Sequence, residues 1–408
     1  MRERLAHRTV DVAVIGGGII GLGVAWAVAQ SGRTVVVIDP DPAGGATYAA
    51  AGMLAAVSEL HYQEEALLEL MLASSALYPA FIESLGPDSH LTGFQQTRTM
   101  NVGADAGDRQ ALADLRGVQL ANGLGVEPLN VRDARALEPL LSPHISGAFV
   151  VEQDHQVDPR QLAERIQLAL AALATDGKPA MMRVGARGLL RDDTADGASR
   201  VTGVALVDGL TVRATEVVVA NGLGAAGLAG LPEQLSLPLR PVYGDVLRLR
   251  VPEPLRPLLT CTVRGLVHGV PVYLVPRTDG TLVIGATQRE NGSGSVSAGG
   301  VSQLLRDAQV LVPAVSELEL IELTARARPG TPDNAPLLGR VGSDRGSIPG
   351  LIIATGFFRH GVLLTPVAAQ YCLQLIEGTD DDRWSSFRPD RFSAGHARAS
   401  ASREGDHS

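Results

Sequence analysis

Three apolar runs open the chain, each with its own length and period. Residues 10–15 form an unbroken strand-like run, 19–31 have helical spacing, and 34–38 are a second short strand. Strands apolar on both faces, joined by a helix, predict the start of a parallel α/β sheet. A stretch of small residues follows at 44–52. Residues 62–85 predict an amphipathic helix with Leu67, Met71, Leu77, Phe81 and Leu85 in or near one stripe, stopped by Gly86 and kinked at Pro79. Residues 108–140 read as helix, short strand, short helix. Asp158-Pro159 predicts a helix start, because Asp can cap and Pro fits the first turn; that helix runs to about Gly177.

Beyond it the period changes to two. Residues 183–220 alternate like a β-meander with a polar turn at 192–199, ending in a short buried strand at 217–220. Residues 242–250 and 271–288 predict antiparallel strands, with Thr278-Asp279-Gly280 as a hairpin turn. A helix is expected at 301–311, a strand at 317–328, a last buried strand at 351–354, and a helix at 361–377 with Pro366 early in it. The tail from Ser393 is polar and expected to be disordered. The sheet-forming α/β segments are separated by antiparallel and helical material, so the fold class predicted is α/β with two interleaved domains. A Rossmann-type domain would take residues 1–60, 145–230 and 328–392. An antiparallel-sheet substrate domain would take 61–144 and 231–327.

Composition narrows the chemistry. A chain of 408 residues with 45% hydrophobic residues can bury a large core, and at 4% aromatic content that core must be mostly aliphatic. The net charge is −9 and no basic run occurs, which argues against nucleic acid or an anionic membrane as partner. The apolar stretch 10–29 holds five glycines and Asp11, unlike a membrane span. Lys178 is the single lysine, in a polar turn, so Schiff-base chemistry is disfavoured. Two cysteines, Cys261 and Cys372, with no paired histidines at ligand spacing, disfavour a disulfide framework or a zinc site and suit a reducing, cytoplasmic compartment.

The strongest motif is Gly16-x-Gly18-x-x-Gly21, placed directly between strand and helix. Gly16 permits a tight turn, Gly18 admits a pyrophosphate at the helix N-terminus, and Gly21 lets the helix pack close. Asp39 stands at the end of the second strand, where an acid accepts bonds from ribose hydroxyls. The motif does not separate FAD from NAD. Ala46, Thr47, Ala51, Gly52 and Met53 lie in a small-residue run that could meet a flat ring or simply be an alanine-rich helix. Thr355-Gly356 followed by Phe357 to Gly361 could set a helix N-terminus beside a flavin, or be a plain connection. Arg326 and Arg328 share a strand face, opposite Ile321, Leu323 and Ala325. That face could be solvated, which the residues alone favour, or Arg328 could grip a carboxylate. Tyr273 reads as a half-buried strand residue, and no histidine earns a proton-transfer role.

Taken in order, residues 14–21, 49–54, 273–277, 284–287, 328–334 and 354–361 resemble the D-amino acid oxidase family of FAD-dependent oxidoreductases, in particular the bacterial glycine oxidases of thiazole biosynthesis. The resemblance spans about residues 10–380. It implies non-covalent FAD, with Ile19, Ile20, Asp39 and Pro40 at its adenosine and pyrophosphate end. Ala46, Thr47, Ala51, Gly52 and Met53 would lie towards the ring. Phe357, Phe358, Arg359, His360, Gly361, Val362 and Leu363 would wrap its pyrimidine edge. Arg328 would bind a substrate carboxylate with Tyr273 donating to it, and Arg359 would sit beside the substrate. These implied roles reverse the solvated-face reading of Arg328.

The chain departs from the family pattern in two places. Arg326 replaces a usual glycine, and Phe357 and His360 replace polar residues of the last motif. The implied activity is oxidation of glycine, sarcosine or a small D-amino acid, with oxygen reduced to hydrogen peroxide and the imine used in thiazole, hence thiamine, synthesis. No side-chain base is required if the substrate binds as the free amine. A homo-oligomer is expected. The alternatives are a dehydrogenase with another electron acceptor, a tRNA-modifying oxidase domain, which the acidic charge disfavours, and a non-enzymatic flavin-binding regulator.

Overall fold

The computed structural model describes residues 7–60, 64–174, 180–193, 199–343, 346–380 and 382–393. The Lys178 turn, most of the 192–199 turn and the tail after Ser393 lie outside the described residues. In chain order, the elements that frame the site are β1 (His7–Ile15), α1 (Ile19–Gln30), β2 (Val35–Ile38), α2 (Ala46–Ala49), α3 (Glu65–Glu83), α4 (Pro159–Leu173) and β3 (Thr211–Val219). After these come β4 (Arg240–Arg250), β5 (Val270–Pro276), β6 (Thr281–Gly285), β7 (Glu319–Gly330), β8 (Gly346–Thr355) and α5 (Thr365–Glu377).

The first sheet runs Leu337–Ser343, β8, β3, β1, β2, Met181–Met182. β8, β3, β1 and β2 pair in parallel, and Ser199–Leu206 and Leu337–Ser343 pair antiparallel at its flanks. Val12, Ala13, Val14 and Ile15 are all buried, because helices cover one face of β1 and further chain covers the other. α1 is apolar on every side because it packs against both α4 and α5. Asp158 caps α4 as its residue types dictate, accepting from the backbone N–H groups of Arg160 and Gln161.

The second sheet runs β7, β4, β6, β5, Thr262–Val267, Thr99–Gly103, Gly147–Val151, Glu127–Leu129. It is antiparallel except where Thr262–Val267 meets Thr99–Gly103. Gly147–Val151 falls in the first domain by the sequence-based division and pairs in the second sheet. The hairpin forms as expected, with Thr281 N–H bonded to the Asp279 carboxylate at 2.9 Å.

α3 continues through Pro79 to Glu83. Its stretch Ala66–Glu83 is long and apolar enough to cross a membrane by length and composition alone. In this fold Leu70, Met71 and Tyr78 are enclosed in the core, and Tyr78 and Ser74 donate to the carbonyls of Val362 and Leu363 at 2.9 and 2.6 Å. α3 therefore holds the last turn of the site in place.

The helix expected over 361–377 begins only at Thr365. Phe358 has a φ of 47°, the left-handed region, which interrupts right-handed helix before it can start. Phe358–His360 instead form one tight turn, and Pro366 sits in the first turn of α5, where its missing N–H costs nothing.

Candidate active site

A cavity of about 470 Å³ opens at the carboxyl ends of β1, β3 and β8 and reaches to β4, β5 and β7 of the second sheet. At one end lies the glycine turn. Gly16 has a φ of +108°, and a Cβ there would sit 2.5 Å from the Ala220 carbonyl oxygen, so only glycine makes this turn. Gly18 caps α1 without a side chain, and Ile19 N–H donates to Thr47 Oγ1 at 3.0 Å. The Asp39 carboxylate accepts from the N–H groups of Gly17 and Asp41 at 2.6 and 2.8 Å and faces the cavity. Across from them Asn221 Oδ1 is buried on the cavity wall with no partner among the described residues.

The next wall is the small-residue run at α2. It is tied down by three arginines, one from a helix and two from the second sheet. Arg160 of α4 donates to the Tyr48 carbonyl at 2.8 Å, and its guanidinium stacks 3.5 Å from the Tyr48 ring centroid. Arg248 of β4 reaches the same carbonyl at 3.1 Å. Arg277 donates to the carbonyls of Ala51 and Val157. Burial pulls Arg277 down to about 10, with Asp158 opposing. Glu322 grips Arg160 through two bonds at 2.9 and 2.7 Å, and the Arg160 bond is the first cause that lowers its carboxyl to about 2.

The far end of the cavity is polar and rests on bare backbone. Tyr273 stands directly opposite Gly285, and a Cβ at Gly285 would overlap the tyrosine hydroxyl. Arg328 stands on β7 beside Gly244 of β4, and a Cβ there would overlap its guanidinium. Burial pushes the Tyr273 hydroxyl above its ordinary value while Arg328 works against it, so it stays a protonated donor. Arg328 has one weak bond, to the Thr287 carbonyl at 3.4 Å, and no ion pair with a described carboxylate. An unbalanced guanidinium and a neutral hydroxyl on one wall suit a carboxylate.

Facing them is Glu59, buried on the cavity wall between Arg264 at 2.6 Å and the His360 Nδ1 at 3.3 Å. Burial works to raise its carboxyl, but Arg264, His360 and Arg359 prevail and hold it well below the usual range. His360 is itself lowered, chiefly by burial, with Glu59 opposing.

Of the residues singled out from sequence, Gly18, Ile19, Ile20, Asp39, Ala46, Thr47, Ala51, Gly52, Met53, Tyr273, Arg328, Phe357, Phe358, Arg359, Gly361 and Val362 line this one cavity. Gly16 and Gly21 lie beneath the turn, and Pro40, His360 and Leu363 do not line it. His360 packs behind Glu59, and Leu363 belongs to the core. Arg359 lines the cavity with its charge already matched by an ion pair to Glu64. Sequence reasoning missed Glu59, Asn221, Gly244 and the clamping roles of Arg160, Arg248 and Arg277. For Glu59 a signal existed: it is the lone acid in the otherwise nonacidic run 49–60.

The family model for FAD dependent oxidoreductases (DAO) matches residues 11–375. The chain belongs to that family. It is 32% identical to the glycine oxidase of Geobacillus kaustophilus over 91% of this chain and 94% of that protein. It is 31% identical to the bifunctional protein ThiO/ThiG of Nostoc sp. over 94% of this chain and 55% of that protein, so it spans about half the length of the bifunctional relatives. The crystal structure of the Geobacillus kaustophilus glycine oxidase superposes with a TM-score of 0.80 at 29% identity, covering 93% of this chain and 98% of that one.

The residues present fit FAD. The glycine turn at a helix N-terminus suits a pyrophosphate, Asp39 suits a ribose, and the orphaned Asn221 oxygen gives a buried acceptor with a free lone pair. Cys261 and Cys372 are free, buried and off the cavity wall, and burial pushes both thiols up, Cys372 to about 12, so neither suits a covalent flavin link.

Gly16→Ala is expected to weaken FAD binding about 5- to 150-fold, because left-handed backbone and a backbone clash together cost about 1–3 kcal/mol. Flavin titration of the apoprotein measures it, and an unchanged affinity would remove Gly16 from the cofactor site.

Proposed function

We propose that this chain oxidises the carbon–nitrogen bond of a small amino acid, glycine foremost. The products are the imine and, with oxygen as final acceptor, hydrogen peroxide, and the imine supplies thiazole synthesis. One observation carries this reading. The Arg328 guanidinium faces the cavity unmatched by any described carboxylate, beside a Tyr273 hydroxyl that burial keeps protonated. The likeness to glycine oxidase over most of both chains supports it.

Bound FAD supplies a two-electron acceptor. The protein's own part is orientation. Arg328 and Tyr273 fix the carboxylate, and the two glycines beneath them keep that end rigid. Glu59, held ionised, is too weak a base to take the amine proton, so the substrate must present its neutral amine by its own equilibrium. Ala51, Val246 and Phe357 give the cavity an apolar wall that restrains water. A cytoplasmic homo-oligomer is part of this proposal, and two free buried cysteines suit a reducing compartment.

The test uses the FAD-loaded protein with glycine, sarcosine and D-alanine. Anaerobic bleaching of the flavin together with peroxide formation in air is the expected result. Bleaching without peroxide would convert the reading to a dehydrogenase. A flavin that no amino acid bleaches would overturn it.

A further inference from the structure

Two guanidiniums on the cavity wall lack a counter-charge, and only one of them is used by the reaction above. Arg326 and Arg328 lie two residues apart on β7, so their side chains leave the same face about 7 Å apart at the backbone. Both line the cavity. Neither makes an ion pair with a described carboxylate. By contrast Arg359 meets Glu64, Arg264 meets Glu59 and Arg277 meets Asp158. Arg328 is half-buried and Arg326 is exposed at the edge of the cavity, so an anionic ligand reaching from one to the other would meet two unmatched positive charges.

Arg326 is also held in place. Its Nε donates to the Gly44 carbonyl at 3.1 Å and its Nη1 to the Ala325 carbonyl at 2.9 Å. Its guanidinium lies 5.6 Å from the Tyr48 ring centroid, on a ring that Arg160 also stacks upon. These bonds leave Nη2 without an acceptor among the described residues. A positioned guanidinium with a free donor edge is ready for a ligand oxygen. The Glu59 charge does not oppose an incoming acid strongly, because Arg264 already pairs with it at 2.6 Å.

We propose that Arg326 is a specificity-determining residue that recruits a second acidic group, so that the preferred substrates include small amino acids carrying two carboxylates. This rests on the amino-acid reading above. Arg328 holds the α-carboxylate, and Arg326 takes the second, on the side chain or on the nitrogen substituent.

The experiment compares D-aspartate with D-asparagine, equal in size and different by one charge, on the FAD-loaded protein. The kcat/KM ratio is expected to favour D-aspartate about 10- to 100-fold, as a charge-assisted bond to arginine should give. Arg326→Gly and Arg326→Gln should each bring the ratio towards one, and retained flavin absorbance shows that the variants fold. A ratio near one in the unaltered enzyme, or a ratio that both variants preserve, overturns the proposal. A raised FAD dissociation constant in Arg326→Gly with the ratio intact also overturns it and assigns the guanidinium to the cofactor. If glycine is oxidised while D-aspartate is neither oxidised nor competes with glycine, the proposal falls and the amino-acid reading stands. If no amino acid bleaches the flavin, both fall.

Discussion

Arg328→Ala is expected to lower kcat/KM for glycine by about two to four orders of magnitude while the purified protein stays yellow. A hydrogen bond to a charged group is worth about 1.5–3 kcal/mol, and the planar guanidinium can make two to one carboxylate. Each 1.4 kcal/mol is about tenfold in affinity, which sets the range. The loss should fall largely on KM, because the contact exists in the ground state as well as in the transition state. Arg328→Lys should recover only part of it, since an ammonium keeps the charge and loses the fork. The fold should tolerate either change, because the side chain is half-buried and makes one weak bond to the Thr287 carbonyl. Steady-state kinetics and the flavin spectrum measure the two halves of the expectation. Normal turnover in Arg328→Ala would refute the carboxylate site.

Glu59→Gln is expected to destabilise the protein by about 3–5 kcal/mol, because it strands the Arg264 charge in a largely enclosed setting. At about 2.1 cal/mol/K per residue of unfolding entropy, that is a fall of about 4–6 °C in Tm for a chain of this length. Removing the partner as well, in Glu59→Gln with Arg264→Met, should recover much of the loss, since no unpaired charge remains.

The effect has a definite pH dependence. The Glu59 carboxyl is depressed in the fold, so its stabilisation is complete above its unfolded value of about 4.3 and is lost as pH falls through the lower folded value. The gap between the unaltered protein and the Glu59→Gln variant should therefore be full at pH 7 and shrink below about pH 4. Thermal melts at the two pH values measure this. Equal Tm values at pH 7 would show that Glu59 carries no net stabilising charge.

The dinucleotide end of the site was legible because its physics is local. A strand, a glycine turn, a helix and an acid lie within the first 39 residues, and each residue type answers a constraint set by its immediate neighbours. The hairpin at Asp279 and the cap at Asp158 were legible for the same reason. The family motifs brought Tyr273 and Arg328 into view, but their setting depends on partners across strands. Gly244 and Gly285 read in sequence as ordinary strand glycines; only packing across the strands shows that Gly285, opposite Tyr273, makes room for its ring and that Gly244, diagonal to Arg328, makes room for its guanidinium. Glu59, Arg264 and His360 are separated by about 100 to 300 positions, and no local pattern joins them. The late start of α5 was hidden too, because a left-handed Phe358 is set by its surroundings and not by its residue type.

Where Tyr273 and Arg328 rest on backbone, the geometry cannot drift by side-chain rearrangement. Paired strands move as a lattice, so the polar end of the cavity acts as a fixed datum against which bound molecules are gauged. Any divergence in what the cavity accepts must then arise from the side chains that line the rest of it, Met53, Phe357 and Arg326 among them. A substitution at one of these would reshape the cavity and leave the backbone platform under Tyr273 and Arg328 as it was.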